Sequence, residues 1–181
     1  MKSKKILQIL LLLVMCAFVG AIGSASTEAN AKDKDVAYSV VKYKSIKKAA
    51  KAFEKQYGFA GDVQEMEVSL YDTKVDTKFG KKKCALCIGW GSAGNFVFYF
   101  KHKGKVYRLE FGGVVHINGM SKNGKYLLAS LSGDEYSLFH FSGRTWKIIA
   151  STNRCSNKWI ASKEKKYAIQ DIRELNLPEL K

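Results

Sequence analysis

Residues Cys84 to Phe111 read CALCIGWGSAGNFVFYFKHKGKVYRLEF, and the rest of the predicted fold is built around them. Aromatic side chains occupy every second position from Phe96 to Phe100, and apolar ones occupy every second position from Tyr107 to Phe111. This two-residue period is typical of extended strands. Gly104, between the two runs, can adopt a positive φ, so the pattern predicts a β-hairpin.

Outward from this hairpin, the same period predicts strands through most of the segment 63–151. Apolar and polar residues alternate from Val63 to Tyr71, as in a strand with one wet face. Gly104, Gly124 and Gly143 lie 20 and 19 residues apart, and each is followed by a basic residue and then an aromatic. Glycine at a turn followed by a large cross-strand side chain indicates successive hairpins.

One strong helix is predicted at Ser45–Tyr57, with Ser45 as its N-terminal cap. Its apolar residues follow the i, i+3, i+4, i+7 pattern of a buried face: Ile46, Ala49, Ala50, Phe53 and Tyr57. The fold class is therefore predicted to be α+β and mostly β. We expect an antiparallel β-meander, as a curled or barrel-like sheet, packed against this N-terminal helix.

The first residues have the pattern of a cleaved export signal. Lys2, Lys4 and Lys5 precede the apolar run Ile6–Val19, and Ala29-Asn30-Ala31 has the small-x-small form of a signal-peptidase site. Cleavage after Ala25 and retention as a membrane anchor are the alternatives. Residues 32–181 are then a single secreted or envelope-associated domain: leader and helix at 32–62, meander at 63–151 and a C-terminal cover at 152–181. Within the cover, Lys158–Ala161 is predicted as a strand and Ala168–Leu175 as a short helix.

The charge of the chain is strongly positive, +15 from 31 basic and 16 acidic residues. Residues 32–181 keep 28 basic and 15 acidic residues, a net charge of +13. In an exported protein this favours anionic partners such as a cell-wall polymer, a glycan or a membrane surface, although such charge also serves solubility alone. Nothing in the sequence indicates specific nucleic-acid recognition.

Three cysteines lie beyond the predicted signal: Cys84, Cys87 and Cys155. Three strand residues separate the Cα atoms of Cys84 and Cys87 by about 10 Å, which is too far for a disulfide, and place the side chains on opposite faces. We expect a disulfide between Cys155 and either Cys84 or Cys87; three free thiols is the alternative. A structural zinc site needs four ligands, and no second Cys or His pair has the required spacing.

The sequence contains no recognisable catalytic motif. His102, His116 and His140 do not share a metal-ligand spacing, and no serine lies in G-x-S-x-G. The sequence therefore predicts a noncatalytic protein without a cofactor or metal.

Aromatic and basic residues of the central hairpin are the candidate binding residues. If they share an open face, rings can stack on sugars while cations hold anionic groups; the alternative is that both faces of the sheet are covered. The leading hypothesis is an exported domain that binds an anionic or carbohydrate component of the cell envelope, and the rival is a small secreted inhibitor or protein-interaction module. The candidate residues are Trp90, Tyr99, Lys101, Lys103, Lys105, Tyr107 and Arg108.

The segment Leu70–Asp76, LYDTKVD, followed by the hairpin with its GKVY turn, resembles uncharacterised secreted proteins of Gram-positive-type bacteria. Their LYDxDxDGxxEL turn is similar to the calcium loops of FG-GAP-type repeats. The resemblance covers roughly residues 70–149 and implies export and β structure. Only Asp72 and Asp76 match the calcium-ligand positions, and Lys81-Lys82-Lys83 follow closely, so no calcium site is expected.

Overall fold

The structure, a computed structural model, describes residues 36–58, 67–90, 95–112, 114–131, 135–154 and 156–181. The predicted signal peptide, its cleavage site and Cys155 lie outside the described residues, so the export prediction stays a prediction. No helix in the described ranges combines the length and the apolar character needed to cross a membrane.

The first half of the fold is a sheet with one helix, α1 (Ile46–Gly58). Sheet A has the strand order β1-β5-β4-β3-β2, and all its neighbours are antiparallel. Its strands are β1 (Val36–Val41), β2 (Glu67–Thr77), β3 (Gly80–Trp90), β4 (Asn95–His102) and β5 (Lys105–Phe111).

The second half repeats this arrangement. Sheet B has the order β10-β6-β7-β8-β9, and its neighbours are also antiparallel. It comprises β6 (Val114–Ser121), β7 (Tyr126–Leu131), β8 (Tyr136–Ser142), β9 (Thr145–Thr152) and β10 (Ile169–Asp171), with helix α2 (Asn157–Tyr167) before β10. The predicted fold class is confirmed, and the meander runs through two sheets.

Alternating side chains place the main core between the two sheets. Phe98 and Leu109 of sheet A belong to one apolar cluster with Leu127 and Phe139 of sheet B. The outer face of sheet A is covered by α1, whose buried Phe53 packs with residues of β3 and β4. On the outer face of sheet B, residues of α2 pack on the strands. The layers are therefore helix, sheet, sheet and helix.

Hairpin turns depend on glycine as the sequence predicts. Gly104, Gly124 and Gly143 all have φ between +70° and +78°. Gly80, with φ +84°, makes a fourth such turn. Residues 72–83, although rich in lysine, form most of the β2–β3 hairpin.

The C-terminal predictions were wrong in detail. Lys158–Ala161 lies within α2, which begins where the Ser156 hydroxyl accepts a bond from Trp159 N–H. Ala168 ends that helix in the left-handed conformation, so the next residues form β10 rather than a helix. The chain then returns to sheet A, where Asp72 N–H donates to Pro178 O at 2.7 Å.

Cys84 and Cys87 are free thiols. Cys84 lies in the core between the sheets and Cys87 lies under α1, on opposite faces as predicted. Cys155 lies outside the described residues, so the predicted disulfide between it and Cys84 or Cys87 stays a prediction. Burial raises the pKa of Cys84, with smaller contributions from Cys87 and Asp72. Burial, with a contribution from Glu54, raises the pKa of Cys87 to about 12.

We expect both thiols to resist modification in the folded protein, because the reactive thiolate is suppressed and access is blocked. In the full chain carrying Cys16→Ser and Cys155→Ser, a disulfide reagent at pH 8 should label less than about a tenth of the remaining thiols. Unfolding in guanidinium should expose both to stoichiometric labelling. Rapid labelling of the native protein would contradict the buried positions.

Candidate functional site

The structure separates the seven candidate binding residues into three groups. Lys103, Lys105 and Tyr107 lie together where β4 and β5 meet. Tyr107 pairs in register with Phe100, and Lys105 pairs with His102, so these side chains point to the same side of sheet A as the inter-sheet core. This group is the part of the prediction that the fold brings together.

Tyr99, Lys101 and Arg108 lie on the opposite face of sheet A. Tyr99 is 5% exposed and packs in the cluster beneath α1. Burial raises the pKa of Tyr99 to about 12, although Arg108 opposes this shift. Arg108 forms an ion pair with Glu110 on its own strand. The helix thus covers the face on which an open aromatic surface was expected.

Trp90 lies at the far end of β3. The strand register places Tyr107 level with Cys84 of β3, which is six positions from Trp90, roughly 20 Å at ~3.3 Å per residue. Its indole N–H donates to the Ser69 hydroxyl at 2.9 Å, and the Arg173 guanidinium lies 4.3 Å from the ring centroid. Trp90 therefore belongs to a separate, internally bonded cluster and cannot act with Tyr107 on one small ligand.

Near Lys103 and Lys105, four partly buried rings form a surface that we call the aromatic rim: Tyr38, Phe79, His102 and Tyr107. His102 stacks on Phe79 with 4.3 Å between ring centroids and 18° between planes. Phe79 also lies 5.0 Å from Tyr107 and 6.0 Å from Tyr38. Three of these rings, those of Tyr38, Phe79 and Tyr107, rest on the inter-sheet core, so the rim is its solvent-facing border.

Strand register explains why these rings meet. On β1, Tyr38 pairs with Leu109 of β5 and Val40 pairs with Tyr107 of β5, so Tyr38 and Val40 both point to the core side of sheet A. Val40 is 55% exposed and extends the apolar surface beside Tyr107. Phe79, in the β2–β3 turn, adds the fourth ring, and the turn is held by a bond from Lys78 N–H to Tyr38 Oη at 3.2 Å.

Lysines surround the aromatic rim. Lys78 Nζ lies 4.5 Å from the Tyr38 ring centroid and 5.3 Å from that of Phe79, within cation–π range. Lys103 and Lys82 act electrostatically on His102, and Lys105 is its cross-strand partner. None of these four lysines forms an ion pair among the described residues. The rim therefore combines exposed ring surface with unneutralised positive charge.

The pKa of His102 is lowered from its ordinary value of 6.5, first by desolvation and then by Lys82 and Lys103. The imidazole is therefore neutral at pH 7 and gains a proton only at more acidic pH. Because folding lowers the pKa of His102, the neutral imidazole contributes its full share to stability above pH 6.5. This contribution is lost as the pH falls through the lowered pKa.

An NMR titration of His102 is expected to give a pKa below 6.5 in the free protein and a higher pKa with dextran sulfate bound, because a polyanion favours the imidazolium. The variant Lys103→Gln should raise the pKa of His102 in the free protein, since one positive charge that repels the imidazolium is removed. A free-protein pKa at or above 6.5, or no response to the polyanion, would show that His102 does not share the rim's electrostatic environment.

Sequence reasoning missed Tyr38, Phe79, Lys78 and Lys82. A hairpin could have been predicted from Phe79-Gly80, because Gly80 can form a turn within the alternating residues 75–83. The lysines on both sides made this segment resemble a polar loop instead. For Tyr38 no local signal exists, because it reaches Lys78 across 40 residues of sequence.

In the part of the chain that the structure describes, no three His, Cys, Asp or Glu side chains are placed to hold a metal ion. Asp72, one of the two positions that match the calcium-turn pattern, lies 3.7 Å from Lys83 Nζ. Asp76, the other, is paired in register with Lys81.

Comparison of the chain with models of known protein families, with curated proteins and with solved structures found no match. The fold class is shown by the structure itself: an α+β, mostly β domain of two antiparallel sheets with a helix packed on sheet A.

Proposed function

We propose that this chain is an exported, noncatalytic binding domain that holds an anionic glycan of the cell envelope on the aromatic rim. The observation that carries the proposal is the convergence of Tyr38, Phe79, His102 and Tyr107 beside lysines that have no acidic partner among the described residues. Partly exposed rings offer flat apolar surface to sugar rings, and ammonium groups bind carboxylate, sulfate or phosphate substituents.

Two physical arguments favour a charged sugar polymer over a small apolar ligand. The rim is an open border of the core rather than an enclosed pocket, so it suits an extended ligand that lies along a surface. In addition, the charge of +13 on residues 32–181 attracts a polyanion over the range of the Debye length and speeds the encounter. The rings then discriminate among the polyanions that arrive.

We expect the ring variant His102→Ala/Tyr107→Ala to bind dextran sulfate at least about thirtyfold more weakly than the unchanged protein, since loss of aromatic stacking costs ~1–3 kcal/mol per contact and two rings are removed. Its affinity for polyphosphate, which has charge without sugar rings, should change by less than about threefold. Isothermal titration calorimetry of the full chain at about 0.1 M salt measures both.

A matched pair of charge variants separates the rim from general attraction. Lys78→Gln/Lys103→Gln/Lys105→Gln should weaken dextran sulfate binding about tenfold, as expected for three exposed contacts. The control Lys47→Gln/Lys51→Gln/Lys55→Gln removes the same charge from α1 and should change affinity by less than about threefold. Equal losses in both variants would refute a specific site at the rim.

A further inference from the structure

A second positively charged feature lies beside the edge strand β2. A cavity of about 360 Å³ opens between the β2–β3 hairpin, the turn after β6 and the C-terminal segment. Because side chains alternate along a strand, Lys81 and Lys83 point to this cavity whereas Lys82 points to the aromatic rim. We call this cavity, lined by Lys74, Lys81, Lys83 and Lys122, the lysine cleft.

The cleft is assembled from three separate parts of the chain. Lys81 Nζ donates to Asn123 O at 3.1 Å, which links β3 to the turn that carries Lys122. The opposite wall includes Pro178, whose carbonyl accepts the 2.7 Å bond from Asp72 N–H. The lysines are therefore brought together by tertiary structure and are not simply neighbours in sequence.

The charges in the cleft are not balanced. Four lysines face one carboxylate, that of Asp72, which gives a formal charge of +3. Asp72 lies 3.7 Å from Lys83, whereas the ammonium groups of Lys74 and Lys122 have no hydrogen bond or ion pair among the described residues. A concave site lined by one sign of charge concentrates the field and attracts an anion of high charge.

We propose that the lysine cleft binds a phosphoryl ligand with two or more negative charges, of the size of a diphosphate. Lysine is a compact point charge with three donors, which suits tetrahedral phosphoryl oxygens approached from several directions. The volume of the cleft holds more than a single phosphate and is closed on one side by Leu177 and Pro178. This site is separate from the rim and does not rest on the function proposed for it.

Calorimetry of the full chain with inorganic pyrophosphate at constant ionic strength tests the proposal. Lys74→Gln/Lys122→Gln should weaken binding at least about tenfold, and Lys74→Arg/Lys122→Arg should largely retain it. The control Lys47→Gln/Lys51→Gln on α1 should change affinity by less than about twofold. All these side chains are exposed, so circular dichroism melts should be unchanged.

Further measurements identify the source of the ligand and distinguish the lysine cleft from the aromatic rim. Tight binding of pyrophosphate indicates a small free ligand, whereas binding of polyphosphate alone indicates phosphates within a polymer. Either result supports the proposal if Lys74→Gln/Lys122→Gln weakens that binding at least about tenfold. The rim variant His102→Ala/Tyr107→Ala should leave pyrophosphate binding unchanged. Failure of both probes to bind at millimolar concentration, or equal losses in the cleft and α1 variants, would overturn the proposal.

Discussion

Phe98→Ala is expected to lower the free energy of unfolding by about 3–5 kcal/mol. Phe98 is fully buried between the sheets and forms edge-to-face contacts with Phe96 and Phe111, at 6.1 and 6.3 Å between centroids. Truncation removes the transfer free energy of the ring and leaves a cavity that strands held in two ladders cannot close. Urea unfolding followed by tryptophan fluorescence measures the loss.

The control is Ile149→Ala on β9, where the side chain is 43% exposed and the expected change is within about 0.5 kcal/mol. A loss below about 1 kcal/mol for Phe98→Ala would mean that the two sheets do not share the tightly packed core described above.

Gly124→Ala is expected to cost about 2–4 kcal/mol, from a strained backbone and a steric conflict together. Gly124 has φ +72°, and a Cβ atom there would lie 2.6 Å from the backbone oxygen of Lys74 on β2. Neither atom belongs to a flexible side chain, so the turn after β6 must move away from the edge of sheet A. The same urea experiment measures this loss.

Gly104→Ala is the matched control, because Gly104 has φ +78° but nothing lies within 4 Å of its added Cβ. Gly104→Ala should lower the free energy of unfolding only by the strain of alanine at a positive φ, about 1–2 kcal/mol. The difference between the two variants reports the close approach of the turn to β2, which also shapes the lysine cleft. Identical losses would contradict that approach.

Local regularity made much of this fold predictable. The alternation of Phe96, Phe98 and Phe100 indicates strand β4 without reference to any other part of the chain. The stripe from Ile46 to Phe53 likewise indicates α1, and the Ser45 hydroxyl caps it by accepting from Lys48 N–H at 3.2 Å. Glycines with positive φ marked three of the turns.

The division of the meander into two sheets was not predictable in the same way. The alternation of side chains shows which residues share a face of a strand, but it does not show whether a helix or another sheet covers that face. Both faces of β4 are apolar, with Val97 beneath α1 and Phe98 between the sheets. The sequence therefore indicated a strand with two apolar faces, but it left open whether both are covered and did not indicate the second sheet.

The candidate site was partly predictable for a related reason. Tyr107, Lys103 and Lys105 were identified because the hairpin that contains them is local. Their partners Tyr38 and Phe79 come from an edge strand and from a distant turn, and only tertiary structure places them there. Tyr99 and Arg108 lie apart from this group, since their positions in the strands assign them to the face that α1 covers or borders.

NMR chemical-shift mapping shows whether glycan binding is localised at the aromatic rim. Isotope-labelled full chain would be titrated with a short sulfated oligosaccharide at about 0.1 M salt. We expect the largest perturbations on Phe79, His102 and Tyr107 and their strand neighbours, with small changes in α1. Perturbations spread evenly over the exposed lysines, or concentrated on α1, would contradict it.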